Sequence, residues 1–319
     1  METFSSASNS STITGFILLG LPGPREEQIL LFVLFSTVYL LTLMGNGSII
    51  CAVHWDQRLH TPMYILLANF SFLEIWYVTS TVPNMLDNFL SDTKAISFSG
   101  SCFLQFYFFF SLGTNETFLL PLMAFDRYLA ICRPLHYPVI MNNRLCTVLV
   151  VLCWVTAFLC YPVPIYFITQ LPFCGPNTID HFVCDPGPLL ALSCVPAPGI
   201  ELSCSLLSSI IIFITLFFIL ASYTLVLRAV FRVPSAAGRR KAFSTCGSHL
   251  VVVSLFYATL MVMYISPNSG NPAGTQKIVT LIYSSVTPLI NPLIYSLRNK
   301  DMKAALRKIK ILAKSSENS

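Results

Sequence analysis

The sequence predicts an all-α membrane protein, a seven-transmembrane helix bundle with a short amphipathic C-terminal helix. Composition, the number of long apolar runs and the placement of basic residues carry that expectation. Of 319 residues, 55% are hydrophobic and 10% charged, with mean hydropathy +0.70. Soluble domains carry about 25% charged residues, so a water-soluble globule is excluded. Disorder is excluded too, because 25 Phe and 13 Tyr among so few charges give more apolar surface than water tolerates uncovered. A bilayer-crossing helix takes about 20 apolar residues plus a connection, so about seven crossings nearly exhaust the chain.

Residues 1–28 form a polar N-terminus that begins with Glu2 and lacks the basic start and small-residue cleavage site of a secretory signal, so the first span is expected to act as the signal. The bundle follows over 29–297, with spans Ile29 to Val53, Pro62 to Leu86, Ser101 to Cys132, Leu145 to Ile168, Leu202 to Leu227, Ala242 to Ile265 and Ile278 to Leu297. Backbone groups in hydrocarbon must be satisfied within a helix or a closed barrel, and runs this long are helical. With the N-terminus outside, the outer segments hold only Arg25, Lys94 and Lys277, leaving 16 of 19 basic residues inside. The net charge of +5 is scattered between apolar runs, which argues against nucleic acid. Asn9-Ser10-Ser11 is an outer glycosylation acceptor, whereas the same pattern at Asn46, Asn69 and Asn115 lies inside spans and reads as chance. Cys102, Cys174, Cys184 and Cys194 share the oxidising face and suggest two disulfides, with three pairings open by spacing. Thr169 to Glu201, rich in Pro, Cys and Gly, forms an outer lid. The tail, 298–319, places Met302, Leu306, Ile309 and Leu312 on one helical face, with Lys303, Arg307, Lys310 and Lys314 largely elsewhere, as suits an anionic lipid leaflet.

Ordered motifs narrow the function. Asp126-Arg127-Tyr128 ends the third span and Asn291-Pro292-Leu293-Ile294-Tyr295 lies in the seventh. An Arg at a membrane boundary needs a partner, which the adjacent carboxylate supplies until a cytoplasmic protein replaces it. Pro292 removes a backbone hydrogen bond, so the seventh helix can bend there, with Asn291 available to a freed group. In these motifs the chain resembles rhodopsin-like G-protein-coupled receptors. It further resembles the olfactory receptors, of the tetrapod-type class, at Leu59 through Tyr64, Met123 through Cys132, Ser222-Tyr223, Lys241 through Leu250 and Pro288 through Lys300.

That resemblance implies a plasma-membrane receptor with its C-terminus cytoplasmic, a small-molecule odorant as ligand, and a stimulatory heterotrimeric G protein that raises cAMP. It implies no enzyme activity. It pairs Cys102 with Cys184 and Cys174 with Cys194, and brings Tyr223 and Tyr295 to Arg127 in the active state. Alignment by motif puts Phe109, Phe110, Gly113, Thr114, Leu207, Ser208, Tyr257, Leu260, Met261, Tyr264, Leu281 and Ser284 around a pocket in the outer half of the bundle. None is charged, which favours small neutral volatiles that make one or two hydrogen bonds through Thr114, Ser208, Tyr257 or Tyr264.

Glu74 and Glu116 are costly at mid-bilayer unless neutralised, paired or facing a polar cavity. With Asn46 and Asn291 they make a candidate monovalent-cation site; a shared proton and plain structural hydrogen bonding stay open beside it. The superfamily's sodium pocket usually has Asp where Glu74 stands. No other cofactor is expected, and the run His181 to Asp185 loses its value as a metal box if Cys184 is oxidised. A seven-helix transporter would show internal repeats with broken helices, and a hydrolase would need a nucleophile and base in the spans, where His249 lacks an evident triad. Sequence does not separate an odour receptor from one for a non-odour metabolite.

Overall fold

The computed structural model describes residues 15–91, 95–97, 101–174, 177–232, 235–265, 273–299 and 301–308. Among the described residues, seven helical stretches are long and apolar enough to cross a membrane. They are α1 (Arg25–Trp55), α2 (Pro62–Leu90), α3 (Phe103–Cys132), α5 (Asn143–Leu159) continued by α6 (Pro162–Thr169), α8 (Pro198–Phe231), α9 (Ala236–Ile265), and α10 (Ala273–Leu281) continued into α11 (Thr287–Arg298). The short helices α4 (Tyr137–Ile140) and α7 (Pro186–Leu190) lie in connections, and α12 spans 301–308.

Most of these helices outrun the apolar runs that announce them, α1 by four residues at its start and α8 by four at each end, whereas α3 starts two residues inside its run. An apolar run marks hydrocarbon depth, whereas helical hydrogen bonding continues into the interface until a cap or a proline stops it. Asn142 supplies one such cap, its side chain accepting from Leu145 N at 2.8 Å.

Proline positions explain the two interruptions. The fourth crossing is not one helix: α5 stops at Leu159, and Pro162 occupies the first position of α6, where a missing N–H costs nothing. In the seventh crossing Pro288 follows a π-helical turn over Ile282–Val286, the widened ladder that forms where a residue cannot donate to the turn before it.

The third crossing is the hub, with 72% of its most apolar window buried against 17% for the first and the fourth. Its buried residues, among them Leu112, Leu119, Leu120 and Ala124, share one cluster with Leu66, Phe70 and Leu73 of α2 and Val252 and Phe256 of α9. Large apolar side chains on the outside, such as Leu30 and Phe217, are the surface that lipid covers.

One end of the bundle carries a three-stranded sheet of β1 (Gly15–Leu18), β2 (Ala95–Ser97) and β3 (Thr178–Ile179), in the order β2-β1-β3. β1 runs antiparallel to β2, with Gly15 opposite Ser97, and parallel to β3, with Ile17 opposite Thr178. The N-terminal segment, polar by composition, thus includes a short apolar strand. Phe16 and Leu18 are buried against Cys102, Phe106, Ile168 and Cys184. After β1 the chain turns at Gly20, at φ +62, and Asn88 Nδ2 donates to Leu18 O at 2.8 Å. Disulfides join Cys102 to Cys184 and Cys174 to Cys194. Residues 170–174 and 177–197 thus fold with the N-terminal strand over this end of the bundle.

In the tail, Met302 and Ala305 are buried against the bundle, and Leu306 packs beside them. The apolar face of α12 thus serves the protein core as well as any lipid. Tyr64 OH donates to Asn299 Oδ1 at 3.0 Å just before α12. Asn9, Lys94, Ile309, Lys310, Leu312 and Lys314 lie outside the described residues.

Candidate functional site

A cavity of about 40 Å³ lies between the third, fourth, fifth, sixth and seventh crossings on the side of the sheet, with Tyr77 of α2 closing its inner wall. Phe109, Phe110, Gly113, Thr114 and Thr117 present one face of α3, at the three- and four-residue spacing that stacks side chains on a helix. Tyr161 enters from the break between α5 and α6, Ser208, Ile211 and Ile212 from α8, Leu260 and Met263 from α9, and Tyr283 from the π turn. No lining residue carries a charge. The rings meet edge-on or tilted, Phe109 on Phe110 at 5.3 Å and Tyr77 on Tyr283 at 5.4 Å between centroids. Gly113 makes room for this, since a Cβ there would stand 3.3 Å from Tyr283 OH. The cavity has room for a few waters, so a bound organic molecule must move side chains outward.

Six of the aligned pocket positions line this cavity: Phe109, Phe110, Gly113, Thr114, Ser208 and Leu260. Others do not. Met261 follows Leu260 by about 100° around the axis and points out, 37% exposed, while Met263 takes its place on the wall. Tyr257 lies deeper, its hydroxyl donating to Thr215 Oγ1 at 2.8 Å. Leu281 packs against the cluster of Phe35, Val82 and Phe89 between the first two crossings. Ser284 is fully buried, and its hydroxyl finds no partner among the described residues. Leu207 is half-buried, one position off Ser208. The side chain of Tyr264 lies outside those described. Tyr77, Tyr161 and Tyr283 were missed: Tyr161 is placed by the helix break that Pro162 and Pro164 signal, and Tyr283 by the π turn before Pro288.

Below the cavity the polar side chains form a second cluster. Asn291 Nδ2 donates to Glu74 Oε1, and Tyr283 OH donates to Glu116 Oε2 at 3.2 Å. The two carboxyl groups are close enough to act on each other electrostatically. Glu74 Oε2, Glu116 Oε1 and Asn291 Oδ1 are buried with no hydrogen-bond partner among the described residues. Asn46 is not bonded to either carboxyl; its Nδ2 donates to Thr42 O and Pro288 O, both at 3.1 Å, and ties the first crossing to the backbone of the seventh. Three unspent acceptor oxygens around two carboxyl groups are chemically suited to a small cation or a proton.

At the far end of α3, Arg127 pairs with Asp126, both side chains nearly buried. Asp126 Oδ1 also accepts from Tyr137 OH at 2.7 Å, so α4 braces the carboxylate from the connection that follows α3. Burial, and then the charge of Asp126, raise the Tyr137 phenol above its ordinary value and keep it a donor. Tyr128 stacks on Phe125 at 6.4 Å. Tyr223 does not reach Arg127 here; its hydroxyl shares a hydrogen bond with His249 Nδ1, and the two rings stack at 5.7 Å. Pro292 is buried, its ring 3.3 Å from the space a Cβ on Gly45 would fill. The side chain of Tyr295 is not among those described. Tyr137 and His249 were not singled out for this site, although both lie in or beside the matched runs that carry the family resemblance.

In the lid, Cys184 sulfur is bonded to Cys102, and His181 Nδ1 accepts from Val183 N at 3.1 Å. The Cys184 sulfur is then not available as a thiolate ligand. Lys277, buried at the head of the seventh crossing, forms an ion pair with Asp180 and donates to Gly20 O at 3.3 Å. Burial, and next the nearby Lys277, push the His181 imidazole down to about 4.

Comparison with known proteins agrees with this architecture. A family described as olfactory receptor matches residues 35–314. The chain is 72% identical over 308 residues to olfactory receptor 11G2 of Homo sapiens, covering 97% of this chain and 89% of that protein. It is 68% identical over 297 residues to human olfactory receptor 11H6, covering 93% and 90%. To human olfactory receptor 11L1 it is 49% identical over 301 residues, covering 94% and 93%.

Proposed function

The chain belongs to the olfactory receptor family of rhodopsin-like G-protein-coupled receptors, multi-pass proteins of the plasma membrane and not enzymes, and from that premise we propose that a small neutral volatile molecule occupies the cavity of Tyr77, Phe109, Phe110 and Tyr161. Occupancy shifts a two-state bundle, and the Asp126-Arg127 end then engages a stimulatory heterotrimeric G protein and raises cAMP. The N-terminus and the sheet face outside and the C-terminus faces the cytoplasm. This reading is supported by the basic residues gathered at the opposite side and by four disulfide-bonded cysteines at the sheet end.

The uncharged cavity wall carries the ligand assignment. A carboxylate or amine would lose its hydration there without a counter-ion, a cost of several kcal/mol that a molecule with few contacts does not offset. Neutral alcohols, aldehydes, ketones, esters and terpenoids therefore outperform acids and amines of matched skeleton. A cAMP assay of the surface-expressed receptor against a chemically diverse panel, with mock-transfected cells beside it, tests this. A short-chain acid as strongest agonist at neutral pH would refute it.

Resting-state signalling restraint comes from the Arg127–Asp126 pair, which a G protein displaces. The cluster of Glu74, Glu116 and Asn291 holds a monovalent cation, a reading supported by its three unpartnered acceptor oxygens. Sodium titration of agonist affinity checks it: a response to pH with none to sodium would assign the site to a shared proton instead.

A further inference from the structure

Most hydroxyl hydrogens near the cavity are already spent. Thr117 Oγ1 donates to Gly113 O at 2.8 Å, Tyr283 OH to Glu116, and Tyr257 OH to Thr215 Oγ1, which itself donates to Ile211 O at 2.7 Å. The wall formed by Tyr161, Thr114 and Ser208 differs. Tyr161 is buried, held where α5 ends and Pro162 starts α6, and its ring lies 5.8 Å from that of Phe110. Its hydroxyl meets Thr114 Oγ1 at 2.7 Å, and Ser208 lines the same cavity. In the Tyr161–Thr114 pair, two hydroxyl hydrogens thus serve one contact. One hydrogen is left over, and a buried donor with no acceptor is unfavourable until something in the cavity accepts it.

We propose that Tyr161, acting with Thr114, is the specificity-determining residue of this receptor and selects ligands that bring a neutral acceptor oxygen, a carbonyl above all, on a compact apolar or aromatic skeleton. The surplus hydrogen lies among the rings of Phe109, Phe110 and Tyr77, so the skeleton meets aromatic faces while the oxygen meets the hydroxyl wall. A hydrocarbon fills the same space and leaves the donor unpaired; an acid or amine adds a charge with no partner. This inference rests on the neutral-ligand reading above and moves its polar anchor from the sixth crossing to the junction of the third and fourth.

The test compares acetophenone with ethylbenzene, and cyclohexyl methyl ketone with ethylcyclohexane, in dose-response cAMP assays at matched surface expression. Each ketone should act at lower concentration than its hydrocarbon. Tyr161→Phe should weaken the ketones by about three- to tenfold, the range of one hydrogen bond, while leaving the hydrocarbons nearly unchanged. Thr114→Val, close in shape to Thr, supplies the same comparison should Tyr161→Phe fail to reach the surface. Tyr257→Phe should move both members of a pair together. Ketone preference that survives both Tyr161→Phe and Thr114→Val, or that vanishes only in Tyr257→Phe, overturns this assignment and leaves the neutral-ligand reading standing. Activation by matched acids or amines in place of the ketones overturns that reading instead, and wild-type silence to every compound counts against both.

Discussion

Acidification should loosen the lid through His181. In the structure this imidazole is 2% exposed, stacked on Phe182 with centroids 4.8 Å apart, and its Nδ1 accepts from Val183 N. The charged groups around it are Lys277, which opposes protonation, and Asp180, which favours it less strongly. A proton on Nδ1 would turn the acceptor into a donor facing another donor and would bury a second cation beside Lys277. The folded imidazole therefore titrates at about 4 instead of 6.5. Its folded affinity for protons is the lower one, so the associated stability is complete above pH 6.5 and is lost as pH falls towards 4. Each tenfold change in proton affinity is worth about 1.4 kcal/mol, which makes the whole interval worth about 3 kcal/mol. Roughly 2 kcal/mol of it should be gone by about pH 5. Hydrogen exchange at the amides of Ile17 and Leu19, which donate to Asn177 O and Ile179 O, reads this opening directly. His181→Asn keeps an acceptor for Val183 N and cannot titrate, so its protection should stay flat where wild type declines. Parallel decline of wild type and His181→Asn would refute the assignment, as would an imidazole measured to titrate near its ordinary value.

Three further outcomes follow from the same contacts. Cys102→Ser or Cys184→Ser removes the link between the lid and the head of α3, worth about 2 to 4 kcal/mol, and should abolish surface expression in flow cytometry; non-reducing peptide mapping that joined Cys174 to Cys184 would contradict the pairing. Gly20→Ala places a Cβ 2.3 Å from Asn88 Oδ1 on a backbone at φ +62, and should raise exchange at Ile17 and Leu19 by costing about 1–2 kcal/mol or more. Arg127→Ala should silence ligand-driven cAMP at matched surface level while ligand binding persists, and a normal response would remove Arg127 from the coupling role.

The crossings were legible because an apolar run of bilayer length leaves the chain few alternatives, whereas the central position of the third shows only in its burial. Strand β1 was not legible. Gly15 to Leu18 is a four-residue apolar run whose partners, Ala95–Ser97 and Thr178–Ile179, lie far along the chain, and no local period distinguishes such a strand from a stray hydrophobic stretch. The pocket was legible on α3, where Phe109, Phe110, Gly113 and Thr114 sit within two turns of one regular helix and the motif at Asp126 fixes the phase. On α9 it held at Leu260 but not at Tyr257 or Met261, and in the seventh crossing not at Leu281 or Ser284, because each residue turns the wall by about 100° and alignment along the chain does not carry phase around the axis. Met261 and Met263 show the consequence, being two residues apart with one exposed on the outside of the bundle and the other on the cavity wall.

The break at Tyr161 is the opposite case, since Pro162 and Pro164 announce it and only the habit of reading an apolar run as one helix hides it. A proline that ends a helix releases the residue before it from the helical phase, so its side chain can reach where no regular position points. In the seventh crossing the π turn before Pro288 does the same for Tyr283, which reaches both the cavity and Glu116. Of the two residues freed in this way, Tyr283 links the cavity wall to the buried carboxylates and Tyr161 ties it to Thr114. Substitutions near Pro162 or Pro288 should therefore change ligand preference without touching a lining residue.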